Sequence, residues 1–93
     1  MKTSFGSLTP VLTEGGKLVA EVGVFEKEGR AHTHDEWEIC FVTSGEGEIV
    51  VGSEKHYVKT GDTLAIPPNT PHWMIPSGKD LFKILIVYTQ NKI

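Results

Sequence analysis

The residues best suited to chemistry lie in Gly29–Gly45, GRAHTHDEWEICFVTSG, and in PPNTPH further on. His32 and His34 stand two apart, Glu38 follows, and His72 closes the later stretch. Three imidazoles and one carboxylate form a donor set for a divalent transition ion: iron, manganese, nickel, zinc, cobalt or copper. Four such donors would close a tetrahedral zinc shell, or leave open positions on an octahedral iron, manganese, nickel or cobalt. The first arrangement is a structural site and the second permits catalysis. Spacing favours a strand as the carrier. Successive strand side chains alternate between faces, so His32, His34 and Glu38 project from one side. A helix turning about 100° per residue would send the two histidines to opposite sides.

The elements that must position these residues are short and extended. KLVAEVGVF at 17–25 is mostly apolar on both parities and predicts a strand packed on both faces. Residues 1–15 read as an irregular N-terminal arm, with Pro10 and Gly15–Gly16 as breakers. The chain is expected to be extended from about 31 to 43. Ser44-Gly45-Glu46-Gly47 predicts a turn, with 48–52 returning as the second arm of a hairpin. Further strands are expected at 55–59, at TLAIP, at 72–75 ending before Pro76, and at 81–89; NKI is a polar tail. Pro67, Pro68 and Pro71 make 67–71 a loop or sheet edge. No window combines helix caps with a sustained helical period. Barrel strands over 17–89 thus compose an all-β antiparallel sandwich or barrel, one domain spanning 1–93.

HTHDEWEICFVTSG resembles the first motif of the cupin family: His-x-His, three residues, Glu, six residues, Gly. GDTLAIPPNTPH resembles the second, through Gly61, Pro67 and His72. Together with the spacer between them, these motifs cover about half the chain. The usual glycine before the first histidine falls at Glu26, the one after Pro-x at Asn69, and the usual closing Asn at Pro76. Asn69 suits its place because Asn also visits the left-handed region. The resemblance implies a small jelly-roll barrel with a metal inside, held by His32, His34, Glu38 and His72.

Other residues are given less chemistry. Cys40 shares parity with Glu38 and is expected to be a small buried hydrophobe inside the barrel. Trp37, Ile39 and Phe41 form an apolar row on the opposite face, which a second sheet segment or a second subunit must cover. A homodimer is expected, and the resemblance implies the same. Trp73 and Tyr88 read as core aromatics that could also line a pocket. His56 lies outside both motifs and is not expected to ligate. Arg30 and Lys83 read as surface charges, and Asp35 and Glu36 as solvated turn residues. No catalytic residue is singled out beyond the four candidate ligands.

Composition excludes some partners. The chain of 93 residues has a formal net charge of -3, and its nine Lys and Arg are scattered. Phosphate binding needs a concentrated cationic face, so nucleic acid is not expected as the partner. No run reaches bilayer-spanning length, and MKTSFGSLTPVL lacks a secretory apolar core. One cysteine cannot form an internal disulfide, which fits the cytoplasm. The expected function is a metal-dependent enzyme acting on a small molecule, with dioxygenase- or isomerase-type chemistry. The alternative is a non-catalytic binding module for a sugar-like ligand. HTHDEWEICFVTSGEG also resembles the sugar-sensing arm of bacterial transcription regulators built on this barrel. A third possibility confines the metal to stabilising the fold.

Overall fold

Inside-outside alternation builds this protein. Along Phe82–Thr89 the residues Phe82, Ile84 and Ile86 are buried, while Lys83, Leu85 and Val87 between them are half-exposed. The same period runs through Trp37–Ser44, where Glu38, Cys40 and Val42 point inward. The computed structural model describes residues 1–90, so the expected tail at 91–93 lies outside the described residues. The strands are β1 (Gly6–Glu14), β2 (Lys17–Phe25), β3 (Trp37–Ser44), β4 (Glu46–Val51), β5 (Glu54–Lys59), β6 (Thr63–Ile66), β7 (His72–Ser77) and β8 (Phe82–Thr89). They form a five-stranded sheet in the order β1-β2-β8-β3-β6 and a three-stranded sheet in the order β5-β4-β7. Every pairing between them is antiparallel, and the two sheets enclose one core as a small jelly-roll barrel. The large sheet contributes Phe25, Cys40, Val42, Ile66, Phe82, Ile84 and Ile86 to that core, and the small sheet Ile49, Val58 and Met74. Among the described residues there is no helix long and apolar enough to cross a membrane.

Three local expectations are corrected. The N-terminal arm is not irregular: β1 pairs with β2 from Gly6↔Phe25 to Glu14↔Lys17. Gly15 and Gly16, both at positive φ (58° and 78°), are the two-residue turn of that hairpin rather than a break. Pro10 is tolerated because β1 is an edge strand, and the register shifts just after it, between Pro10 and Leu12. Second, β3 and β4 are not the arms of one hairpin. β3 pairs with β6 and β8, β4 with β5 and β7, and the chain changes sheets at Gly45. Gly45 has φ 74°, and a Cβ there would lie 2.5 Å from the Leu81 carbonyl oxygen, so neither the backbone nor the space admits a side chain. Third, β7 continues through Pro76 to Ser77, which an edge position of the small sheet allows.

The apolar row of Trp37, Ile39 and Phe41 lies on the outer face of the large sheet. Cross-strand partners on that face are Val87 for Ile39 and Leu85 for Phe41. Phe41 is exposed, and Trp37 and Ile39 are half-buried.

Candidate metal centre

Glu38 and His72 are brought together from the two sheets. Glu38 is the second residue of β3 and faces inward between Ile66 of β6 and Tyr88 of β8. His72 opens β7 on the small sheet. Both are 1% exposed. His32 and His34 are not on the regular part of β3, which starts only at Trp37. His32 instead forms an isolated antiparallel bridge with His72, its N–H donating to the His72 carbonyl at 3.2 Å and its carbonyl accepting from the His72 N–H at 3.1 Å. His34 sits before a bend, its carbonyl accepting from the Asn69 N–H at 2.7 Å. Asn69 is at φ 58°, the left-handed conformation expected of it, and this turns the 67–71 loop against His34.

Each ring is oriented by a backbone carbonyl two residues away. Nδ1 of His32 lies 3.1 Å from the Arg30 oxygen, Nδ1 of His34 3.0 Å from that of Glu36, and Nδ1 of His72 2.8 Å from that of Thr70. A carbonyl can only accept, so Nδ1 carries the proton in all three rings, and a neutral ring then presents a bare lone pair at Nε2. Nε2 of His34 and of His72 lie 3.0 and 3.1 Å from one oxygen, Oε1 of Glu38. Three lone-pair bearers are thus aimed at a common point, an arrangement that needs either extra protons or a cation. One donor atom from each of His32, His34, Glu38 and His72 lies within 4.8 Å of all the others. The donor chemistry and the shared Nδ1 orientation fit a divalent transition ion, and these four residues could hold one.

The surroundings bias the same charges. Burial alone would raise the Glu38 carboxyl, but hydrogen bonds with His34 and His72 outweigh it and bring the group from its ordinary 4.5 down to about 2. The Glu38 contact raises His34 above its ordinary 6.5 against a smaller opposing effect of burial. Cys40 is fully buried below Glu38, and its thiol donates to Oε2 at 3.3 Å. Burial first, then the Glu38 charge, holds that thiol well above its ordinary 9.0. It is a protonated donor that fixes which carboxylate oxygen faces the rings.

The remaining candidates fall elsewhere. His56 lies on β5 with Nε2 3.5 Å from Glu54 Oε1, outside the four-residue cluster. Trp73 donates its indole N–H to Glu28 at 2.9 Å. Arg30 is exposed and contributes its carbonyl, and Lys83 lies on the outer face of β8. Asp35 is exposed, and the Glu36 side chain lies 3.5 Å from Lys17. Tyr88 meets the His34 ring edge-on at 5.4 Å between centroids and donates to Glu21 at 2.5 Å. Glu21 had no assigned role in the sequence, although it is the only charged residue between Leu18 and Phe25. A cavity of about 40 Å³ beside the cluster is bounded by Glu21, Tyr88, Phe5, Leu8 and Met74, with His32 and Glu38 at one side. Two larger open clefts, of about 280 and 410 Å³, lie around Thr60 and around Gly78 and touch none of the four residues.

Comparison with known proteins agrees with this geometry. The sequence pattern of the cupin domain family matches residues 18–88. An uncharacterized protein of Methanocaldococcus jannaschii is 31% identical over 103 aligned positions, covering 91% of this chain and 82% of that one. Acireductone dioxygenase of Aquifex aeolicus is 30% identical over 64 residues, which is 64% of this chain but only 35% of the enzyme. The crystal structure of a cupin-like protein from Thermotoga maritima superposes with a TM-score of 0.76 at 27% identity, covering 97% of this chain and 79% of that one. Other similar solved chains are longer, and this one spans 60 to 69% of their length.

Proposed function

Because this chain belongs to the cupin family, we propose that it is a metal-dependent enzyme acting on a small molecule, with a divalent transition ion held by His32, His34, Glu38 and His72. The observation that carries this reading is the set of three rings, each tied at Nδ1 to a carbonyl, with two Nε2 atoms meeting one oxygen of Glu38. When bound, the ion supplies Lewis-acid or oxygen-dependent redox chemistry. Three imidazoles and one carboxylate leave positions open on iron, manganese, nickel or cobalt, and these ions suit catalysis better than a closed zinc shell. The chain's own groups prepare the site. Cys40 orients Glu38, and Phe5, Leu8 and Ile86 keep the adjoining cavity apolar. His32, the exposed member, marks the side from which a small molecule enters. The partial likeness to acireductone dioxygenase supports oxygenase-type ahead of isomerase-type chemistry. A free, buried Cys40 suits work in a reducing cytoplasm. A second copy covering the outer row of Trp37, Ile39 and Phe41 completes the proposal as a homodimer.

The test is elemental analysis of protein from its own host, with first-shell geometry by X-ray absorption and a turnover screen on iron-, manganese- and nickel-loaded samples. His34→Ala and His72→Ala are expected to lose most of the bound metal, and His56→Ala to keep it. Metal retained in both ligand variants would identify the wrong residues. Metal and small-molecule binding without turnover would assign the barrel to ligand sensing instead.

A further inference from the structure

Glu21 is a carboxylate in the wrong place for a structural role. It sits mid-strand in β2, 6% exposed, between Pro10 of β1 and Ile86 of β8. No cation faces it among the described residues, and its one hydrogen bond is the phenol of Tyr88 on Oε2. A carboxylate accepts up to about four hydrogen bonds, so Oε1 keeps its full acceptor capacity. Among the described residues no fully enclosed side-chain oxygen lacks a partner, so Oε1 opens onto accessible space where an incoming group can meet it. Its surroundings are apolar: Phe5, Leu8, Phe25 and Ile86 line the same cavity, and the stacked Phe5 and Phe25 rings stand 5.2 Å apart. That cavity touches His32 and Glu38 on its other side.

We infer that Glu21, held by Tyr88, is the specificity-determining residue for a compact, neutral, hydroxyl-bearing substrate whose apolar body fills this cavity beside the four-residue cluster. The inference rests on the metal-dependent reading of that cluster, since it makes the cavity the substrate's place. The Tyr88 hydroxyl occupies one oxygen of Glu21 and locks its rotamer. The other oxygen accepts the substrate hydroxyl. A cavity of about 40 Å³ holds roughly three water-sized groups, so the recognised portion is a fragment of about three or four heavy atoms. A site built to satisfy a hydroxyl discriminates strongly against an isostere without one, because the buried acceptor is then left unpaired.

The experiment compares 1-propanol with its isomer ethyl methyl ether, which has the same atoms but no donor. Binding is followed by the NMR shifts of the Met74 and Ile86 methyl groups, in protein with and without zinc, and zinc content is measured on the same samples. Wild-type protein is expected to prefer propanol at least about tenfold. Glu21→Leu is expected to bring the ratio to about one. Tyr88→Phe, which frees Oε2 without removing the acceptor, is expected to keep the preference. A wild-type ratio near one, or a Glu21→Leu protein that still prefers propanol tenfold, overturns the proposal. If Glu21→Leu does not fold, the wild-type and Tyr88→Phe ratios decide it. Protein that takes up neither zinc nor iron, manganese, nickel or cobalt but still discriminates the two probes would sink the metal-dependent reading and leave Glu21's role standing.

Discussion

Glu38 accepts on both of its oxygens, from rings on one side and a thiol on the other, and this sets how the metal-free chain responds to acid. Its folded value, about 2, lies below its ordinary 4.5. A depressed carboxyl contributes stability that is fully present above the ordinary value and is lost as pH falls through the folded one. His34 has the opposite sign. Its raised value gives stability present below 6.5 and lost as pH climbs through the higher folded value. Urea midpoints in chelator should therefore fall from about pH 4.5 toward 2, and Glu38→Gln should flatten that acid limb. An acid limb unchanged in the Gln variant would show that the shift belongs to another group. In metal-loaded protein the imidazole range governs instead, since a protonated ring cannot coordinate. All four candidate ligands were legible from residue type and spacing. The geometric reason was only partly so. Strand parity places Glu38, but His32 and His34 are placed by a backbone bridge to His72 and by the Asn69 amide, contacts of a distant loop that local periodicity does not contain.

At the scale of elements, turn residues announce where the chain reverses and not which strand it will meet. Gly45 illustrates this, because Ser44-Gly45-Glu46-Gly47 satisfies every local requirement of a hairpin and yet passes the chain from one sheet to the other. Gly45→Ala should cost roughly 1–3 kcal/mol in urea unfolding, from the left-handed backbone and the Leu81 carbonyl in the way of the new methyl. A change under about 0.5 kcal/mol would mean that the crossing can relax. β1 was hidden for a related reason. Its sequence, GSLTPVLTE, lacks alternation, and its order derives from the edge of β2 and the Gly15–Gly16 turn. Glu21 carried a signal that was available, a lone acid in an apolar strand, but only the fold reveals that Tyr88 and a cavity meet it.

The whole molecule exposes an apolar outer face on its larger sheet, where Ile39 and Phe41 adjoin Val87 and Leu85. Ile39→Glu should convert the proposed dimer to a monomer in sedimentation equilibrium while leaving metal content intact, because Ile39 points away from the ligands. Wild-type protein that sediments as a monomer at micromolar concentration would remove the dimer from the account.

Glu38 belongs to the five-stranded sheet, His72 to the three-stranded one, and the other two histidines to the segment running between β2 and β3. An ion bound by all of them is therefore a removable cross-link through the middle of the barrel, reinforcing a span of some forty residues otherwise closed by the His32–His72 backbone bridge, the Asn69–His34 hydrogen bond and side-chain packing. Amide protons of β3 and β7 should then slow their hydrogen exchange together on metal addition and recover together in chelator, while those of the β4–β5 turn stay unaffected.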